Sequence, residues 1–419
     1  MESSNPTLTP KTPLEHVLRG GSPPWAKGTR LPPRAAVTGN FACEVLVVGA
    51  GITGALIVEH LTSLGHQVCV IDRERPGFAS TAASTAMLQW EIDCSLTELT
   101  QFYGFERAAK LYRKSRQAVA GLTSLVATLG LACDFRERNS LYLAGLETAP
   151  SELLAEHRLR ERAGLPGDYL DFVSLKREFG LDRRDAILSS GCADANPLAL
   201  ARAMLQIGAT RGATLLDAEA TQYEQDFKRA YVSLDCGHVI EAQHVVLATG
   251  YQMPDLVKTQ LHRTASSWAI ATIPQHEGKL WRDGVLIWEA SDPYLYARTT
   301  CDNRIIIGGE DQSSVVDPDE RDGLMPAKKT IIQRKLAELL PQADTEAEFV
   351  WSGAFGETED GLPLIGPVPG SPLMFAAYGY GGNGITFSFL ASRMIAQLVA
   401  GARQNWFDDF ALDRPPPGA

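Results

Sequence analysis

Residues 44–54 read Glu44-Val45-Leu46-Val47-Val48-Gly49-Ala50-Gly51-Ile52-Thr53-Gly54. The apolar run Val45–Val48 is of the kind that lies inside a parallel sheet, buried on both faces. The glycines that follow have the spacing G-x-G-x-x-G. Alone that pattern is weak; between a buried-type strand and a helix it is the signature of a dinucleotide loop. Gly49 permits the tight turn, Gly51 lets the backbone approach a pyrophosphate, and Gly54 lets the helix pack close to the strand. Ile52 and Thr53 open a helix whose N-terminal N–H groups and partial positive charge suit phosphate. No Gly-Lys-Ser/Thr follows, which excludes an ATPase-type phosphate loop.

Working outward, the helix runs to about Gly65 and a second strand spans Gln67–Ile71. Asp72 ends that strand, with Arg73 after it. A carboxylate there can accept from both hydroxyls of an adenosine ribose and disfavours a 2′-phosphate; otherwise it caps a surface strand. Residues 76–93 are small and hydroxyl-rich, with Ser80, Thr81, Ser84 and Thr85 placed to approach a ligand. The strand Val245–Ala248 ends in Thr249-Gly250. A second glycine loop, Tyr378-Gly379-Tyr380-Gly381-Gly382-Asn383-Gly384-Ile385-Thr386, leads into a helix. Its N-terminus suits the negative charge that a flavin gains at N1 and O2 on reduction. Together these segments point to FAD rather than NAD, against the alternative that the glycines serve tight packing alone.

The remaining pattern fits an α/β chain. Helical spacing covers Leu96–Gly130, Ser151–Ala163, Pro197–Gly212, Ala327–Leu340 and Gly384–Ala400. Short strands at Trp268–Ile273, Val285–Trp288, Tyr294–Thr299 and Arg304–Gly308, with a turn at Asp302-Asn303, form a second, mainly antiparallel sheet. The net charge of −11, from 39 basic and 50 acidic residues, argues against a nucleic-acid partner. Seven cysteines without a C-x-x-C pair argue against a disulfide framework or a metal site. No apolar stretch is long enough to span a bilayer and no secretory h-region is evident, so a cytoplasmic location is expected.

The motifs at Val48–Gly54, Ser80-Thr81 with Ser84-Thr85, Val246–Gly250, Arg298 with Ile307-Gly308-Gly309, Asp360–Gly366 and Gly379–Thr386 resemble the D-amino-acid-oxidase-like superfamily of FAD-dependent amine oxidoreductases. That group includes glycine oxidase, sarcosine oxidase and γ-glutamylputrescine oxidase types. The resemblance implies a Rossmann-type FAD-binding domain built from three returns of the chain, here 41–110, 191–265 and 345–410. A substrate domain, 111–190 and 266–344, roofs the flavin, and residues 1–40 form an extended arm. It also implies backbone contacts from Glu219–Thr221 to adenine. Some such proteins bind FAD covalently through a histidine or cysteine. With no histidine between His66 and His157 and no cysteine after Cys301, noncovalent FAD is expected.

Tyr294, Tyr296 and Arg298 alternate along a strand and share a face. An arginine flanked by aromatics suits a carboxylate, and in the resembled family an arginine of this region can bind one. Glu91 is a candidate partner for a cationic amine. Each has an ordinary alternative, packing for the tyrosines and arginine and a salt bridge for the glutamate. The expected function is oxidation of the C–N bond of an amino acid or other carboxylated amine to an imine, by hydride transfer to flavin N5. Oxidation of a 2-hydroxy acid or polyol, or a non-catalytic flavin-bound assembly, remains open. The sequence leaves the electron acceptor, oxygen or another, unspecified.

Overall fold

The computed structural model describes residues 17–26, 32–145, 148–257, 259–291 and 294–418. Much of the expected arm (1–16 and 27–31) lies outside them.

The strand Phe41–Val48 pairs in parallel with Val68–Asp72 on one side and Val239–Leu247 on the other. Parallel pairing continues through Thr214–Asp217 to Ala35–Ala36. Beyond Val239–Leu247 the sheet passes to Ala230–Leu234 and Ala220–Gln225, both antiparallel. Ser371–Tyr378 also joins Val239–Leu247 in parallel and forms a hairpin with Leu364–Val368. Val45 and Val47 pack on the side of the helices Ile52–Ser63, Pro197–Thr210 and Gly384–Val399, whereas Leu46 and Val48 pack toward the antiparallel strands. All four are buried, each contributing about 1.5–3 kcal/mol by the usual transfer measure. This two-sided burial explains why the strand reads as an unbroken apolar run.

The second sheet has ten strands. Its path is Arg19–Gly21, Ala347–Thr358, His262–Thr272, Ile305–Gln312, Leu295–Thr299, Leu286–Ala290, Arg136–Ala144, Ala186–Asp194 and Met87–Leu88, with Asp168–Leu170 on the flank of Ala186–Asp194. Only Leu286–Ala290 with Arg136–Ala144 is parallel. Several boundaries therefore differ from expectation. Ala347–Thr358 and Met87–Leu88 belong to this sheet rather than to the dinucleotide half, and part of the arm is its edge strand, Arg19–Gly21. The helical stretch 96–130 is two helices, Leu96–Tyr103 and Phe105–Leu129, broken at Gly104 with φ 76°.

The carboxyl ends of the parallel strands lead to Gly49, Asp72 and Thr249, and the facing strands of the second sheet present Ser267, Ala269 and Tyr296, with Tyr294 just before Leu295–Thr299. All line one cavity. Ligands of open α/β sheets bind at such carboxyl ends of strands.

Candidate functional site

The cavity has a volume of about 840 Å³, at the upper end of the range for small-molecule sites. At one end stands the first glycine loop. Gly49 has φ 107°, and a Cβ there would lie 2.3 Å from the Ala248 carbonyl oxygen. A Cβ on Gly54 would lie 1.9 Å from the Gly49 carbonyl oxygen. Gly54 thus acts through close packing and does not itself line the cavity, whereas Gly49, Gly51, Ile52 and Thr53 do.

Asp72 accepts from Ala50 N (2.6 Å) and Glu74 N (2.8 Å). Burial raises its pKa, opposed by those two N–H donors. Asp72 lines the cavity, and a carboxylate has lone pairs for more than two donors. Arg73 also lines the cavity and is tied to Glu219 at 2.9 Å. Glu219 and Thr221 line the same end, with Thr221 Oγ1 donating to the Ser233 carbonyl at 3.1 Å.

The hydroxyl-rich segment closes over this loop. Thr81 Oγ1 accepts from Ile52 N at 3.0 Å. Ser80 Oγ is buried, lines the cavity and has no protein partner; a bound cofactor would complete that bond. Ser84 and Thr85 follow along the wall, Ser84 Oγ accepting from Ala86 N at 3.1 Å. Two indoles pin the segment, Trp351 Nε1 to the Ala83 carbonyl (2.8 Å) and Trp25 Nε1 to the Ser84 carbonyl (3.0 Å).

At the other end the second glycine loop meets residues 89–93. Asn383 Nδ2 donates to the Glu91 carbonyl (2.6 Å), Thr386 Oγ1 to the Gln89 carbonyl (2.9 Å), and Gly382 N to Asp93 Oδ2 (2.7 Å). Gly381, Gly382, Asn383, Gly384 and Ile385 line the cavity, as do Thr249 and Gly250. Thr386 is buried behind them. A Cβ on Gly250 or Gly384 would meet nothing within 4 Å. Two helix N-termini, bare backbone beside open space and an unsatisfied buried hydroxyl fit an FAD molecule lying along the cavity.

The substrate-side expectations divide. Tyr294 and Tyr296 line the cavity with ring centroids 5.9 Å apart, joined by Trp288, Tyr251 and Phe355. Arg298 does not. Although it shares their face, Trp25 lies over its guanidinium at 5.0 Å, and it lines a separate cavity of about 360 Å³. It is 2 % exposed, donates to the Ala195 carbonyl (2.8 Å) and pairs with Asp194 (3.4 Å). Burial pulls its pKa down to about 10, against the attraction of Asp194. Glu91 is also turned away. Its carboxylate lies 3.7 Å from Arg160 and accepts from Cys192 Sγ at 3.5 Å, leaving only its carbonyl on the flavin-loop side.

Two acids that the sequence reading did not choose stand here instead. Asp93 opens onto the cavity, and the protein around it pushes its carboxyl up to about 6. Asp311 sits in a β-bulge: Ser266 pairs with Gln312 but Trp268 pairs with Gly309, so Glu310 and Asp311 together oppose Ser267. Glu310 takes φ 60°, and Gly309 takes φ 130°. The extra residue turns Asp311 to the side of Ser267 and Tyr294. Both its oxygens are shielded from solvent, and neither completes a hydrogen bond of normal geometry. Burial, the main cause, pushes its carboxyl up to about 6, with Ser267 and Tyr294 opposing and Asp93 and Glu357 adding to the rise. The Gly308-Gly309 pair within a strand pattern was the available signal for the bulge.

Known proteins place this geometry. The chain is 25 % identical over 395 residues to the γ-glutamylputrescine oxidoreductase of Escherichia coli (strain K12), covering 92 % of this chain and 90 % of that protein. It is 24 % identical to a glycine oxidase of Bacillus licheniformis, over 88 % of this chain and 97 % of that one. The crystal structure of glycine oxidase from Geobacillus kaustophilus superposes with a TM-score of 0.76 at 23 % identity, covering 89 % of this chain and 99 % of that structure. Residues 44–398 match the family model described as FAD dependent oxidoreductase, and the chain belongs to that family.

Proposed function

We propose that this enzyme oxidises the C–N bond of a small amine to an imine, with FAD held noncovalently. The observation that carries this reading is the continuity of one cavity. It begins at the dinucleotide loop, passes the second glycine loop and ends under an aromatic roof. When bound, the flavin accepts the hydride leaving the substrate carbon. Gly49, Gly51 and Thr53 with the Ile52–Ser63 helix N-terminus would hold the pyrophosphate, and Asp72 the ribose. Gly381–Ile385, opening the 16-residue helix Gly384–Val399, would oppose negative charge on the ring. Among the described residues no cysteine or histidine lines the cavity, which supports noncovalent binding.

The chain's own part is to position the substrate and keep it dry. Trp288, Tyr251 and Phe355 would enclose the portion next to the reacting nitrogen. Their exclusion of water disfavours the ammonium form, leaving the reacting nitrogen neutral with its lone pair free. The carboxylate half of the sequence-based expectation loses support, since Arg298 is committed to Asp194. Among the described residues no helix is long and apolar enough to cross a membrane.

The test is anaerobic photometry of the purified yellow protein against amines, amino acids and 2-hydroxy acids. Bleaching by an amine class supports the reading, and color returning in air identifies oxygen as an acceptor. Bleaching by 2-hydroxy acids and by no amine refutes it.

A further inference from the structure

The inference concerns the substrate class and rests on the amine-oxidation reading. The two arginines lining the cavity, Arg73 and Arg75, follow directly on Asp72 at the nucleotide end. The aromatic end is walled by residues from 85–93, 251–256, 267–269, 288–296, 353–355 and 379–385. Among the described residues of those segments, Asp93 and Asp255 are the charged side chains on the wall, and no lysine or arginine is present. A substrate carboxylate would find no counter-ion there and would face a negative group.

Behind Ser267 and Tyr294, both cavity-lining, stands the Asp311 carboxylate, brought to their side of the strand by the bulge; their hydroxyls face it, but neither of its oxygens completes a hydrogen bond of normal geometry. A shielded carboxylate held only by two poorly aligned hydroxyls leaves its charge weakly compensated, and a cation on the cavity side of Tyr294 would offset that cost. Asp93 lies within electrostatic reach of both Asp311 and Tyr294. Tyr294 and Tyr296 add two ring faces suited to a cation.

We propose that Asp93 and the rings of Tyr294 and Tyr296 on the cavity wall, with the negative charge of Asp311 behind them, hold an ammonium group at the end of the substrate remote from the reacting nitrogen, so that aliphatic diamines are preferred over amino acids. The held group is not the one oxidised. Two carboxylates keep its proton in place, whereas the reacting nitrogen must be neutral. Both acids must be ionised to act. The groups facing them are Gly382 N and Glu357 for Asp93, and Ser267, Tyr294, Asp93 and Glu357 for Asp311. Their balance sets ionisation near pH 6, so binding of the cation weakens as pH falls through about 6.

The test uses the FAD-loaded protein and three ligands with one four-carbon chain: 1,4-diaminobutane, 1-aminobutane and 4-aminobutanoate, ending in ammonium, methyl and carboxylate. Affinity is read from anaerobic thermal stabilisation, and flavin bleaching is read separately. At pH 8 the diamine should bind about tenfold or more tighter than 1-aminobutane, and 4-aminobutanoate weakest. The gap should narrow at pH 5. Asp311→Asn should close it, with FAD content read from the flavin absorbance to confirm an intact cofactor site. Tighter binding of 4-aminobutanoate overturns the proposal while bleaching by amines keeps the oxidation reading. A gap that survives Asp311→Asn, or a wild-type gap indifferent to pH, also overturns it. Bleaching by 2-hydroxy acids alone removes both readings.

Discussion

Gly54→Ala tests whether the first glycine loop holds the cofactor through close packing. The new Cβ would lie 1.9 Å from the Gly49 carbonyl oxygen and 3.0 Å from its carbon. An ordinary contact is about 3.5 Å, so the start of the helix Ile52–Ser63 must retreat by roughly 1.5 Å. Both clashing atoms are backbone, so no rotamer change relieves them. Overpacking of this kind costs about 1–3 kcal/mol of stability. The retreat also stretches the bond from Ile52 N to Thr81 Oγ1, now 3.0 Å, and withdraws the N–H groups from the phosphates. Losing one charge-assisted bond, about 1.5–3 kcal/mol, weakens FAD binding about 10- to 200-fold. Titration of FAD-free protein by flavin fluorescence quenching measures this, with Gly39→Ala as a control whose Cβ meets nothing within 4 Å. An FAD affinity within about twofold of the parent would refute the packing argument.

Gly384→Ala should act in the opposite way. Its backbone is helical (φ −50°, ψ −43°) and the space is open. FAD-free stability should hold or rise by up to about 1 kcal/mol, while FAD affinity falls because the methyl enters the cavity; unchanged FAD affinity would count against the assigned flavin position. Asp194→Ala should cost about 3–5 kcal/mol in denaturant unfolding, since Arg136, Arg138 and Arg298 all pair with that fully buried carboxylate. Arg298→Met should lower the melting temperature without changing the relative affinities of amines and amino acids; a selective loss of amino-acid binding would restore Arg298 to the substrate site. The Asp311 carboxyl, near 6 in the fold against 3.8 when free, binds more protons folded than unfolded between those values. Its destabilisation is absent below about pH 4, grows as pH rises and is complete above about 6, reaching up to about 3 kcal/mol. Asp311→Asn should therefore raise stability at pH 8 and not at pH 4; an equal gain at both would refute the assignment.

The cofactor half of the site was legible because its signals are local. Gly49–Gly54 carries its own turn, helix start and strand context within a dozen residues. The substrate half depends on contacts far apart in sequence. Alternation puts Tyr294, Tyr296 and Arg298 on one face, but nothing near Arg298 announces that Trp25 covers it or that Asp194 claims its charge. Glu91 fails similarly, because Arg160 reaches it from the helix Pro150–Arg162. Asp311 was hidden by periodicity itself. Strict alternation sets Asp311 apart from Gly308, which faces Tyr296, and only the extra residue at Glu310 reverses that parity. The strand Ala347–Thr358 was misassigned because apolar spacing names a strand without naming its sheet.

The bonds joining Asn383 and Gly382 to residues 91–93 link positions about 290 apart in the chain. The dinucleotide loop at Gly49 is synthesised well before its partner loop at Gly381, which emerges about 330 residues later. At about 5–20 residues per second, the interval between the two is on the order of 15–70 s. During it the nascent chain has a phosphate-binding turn but no floor for the flavin ring. Loading with cofactor is accordingly a late event in biogenesis, and a messenger truncated before the codon for Gly381 would yield a colorless protein with its dinucleotide motif intact.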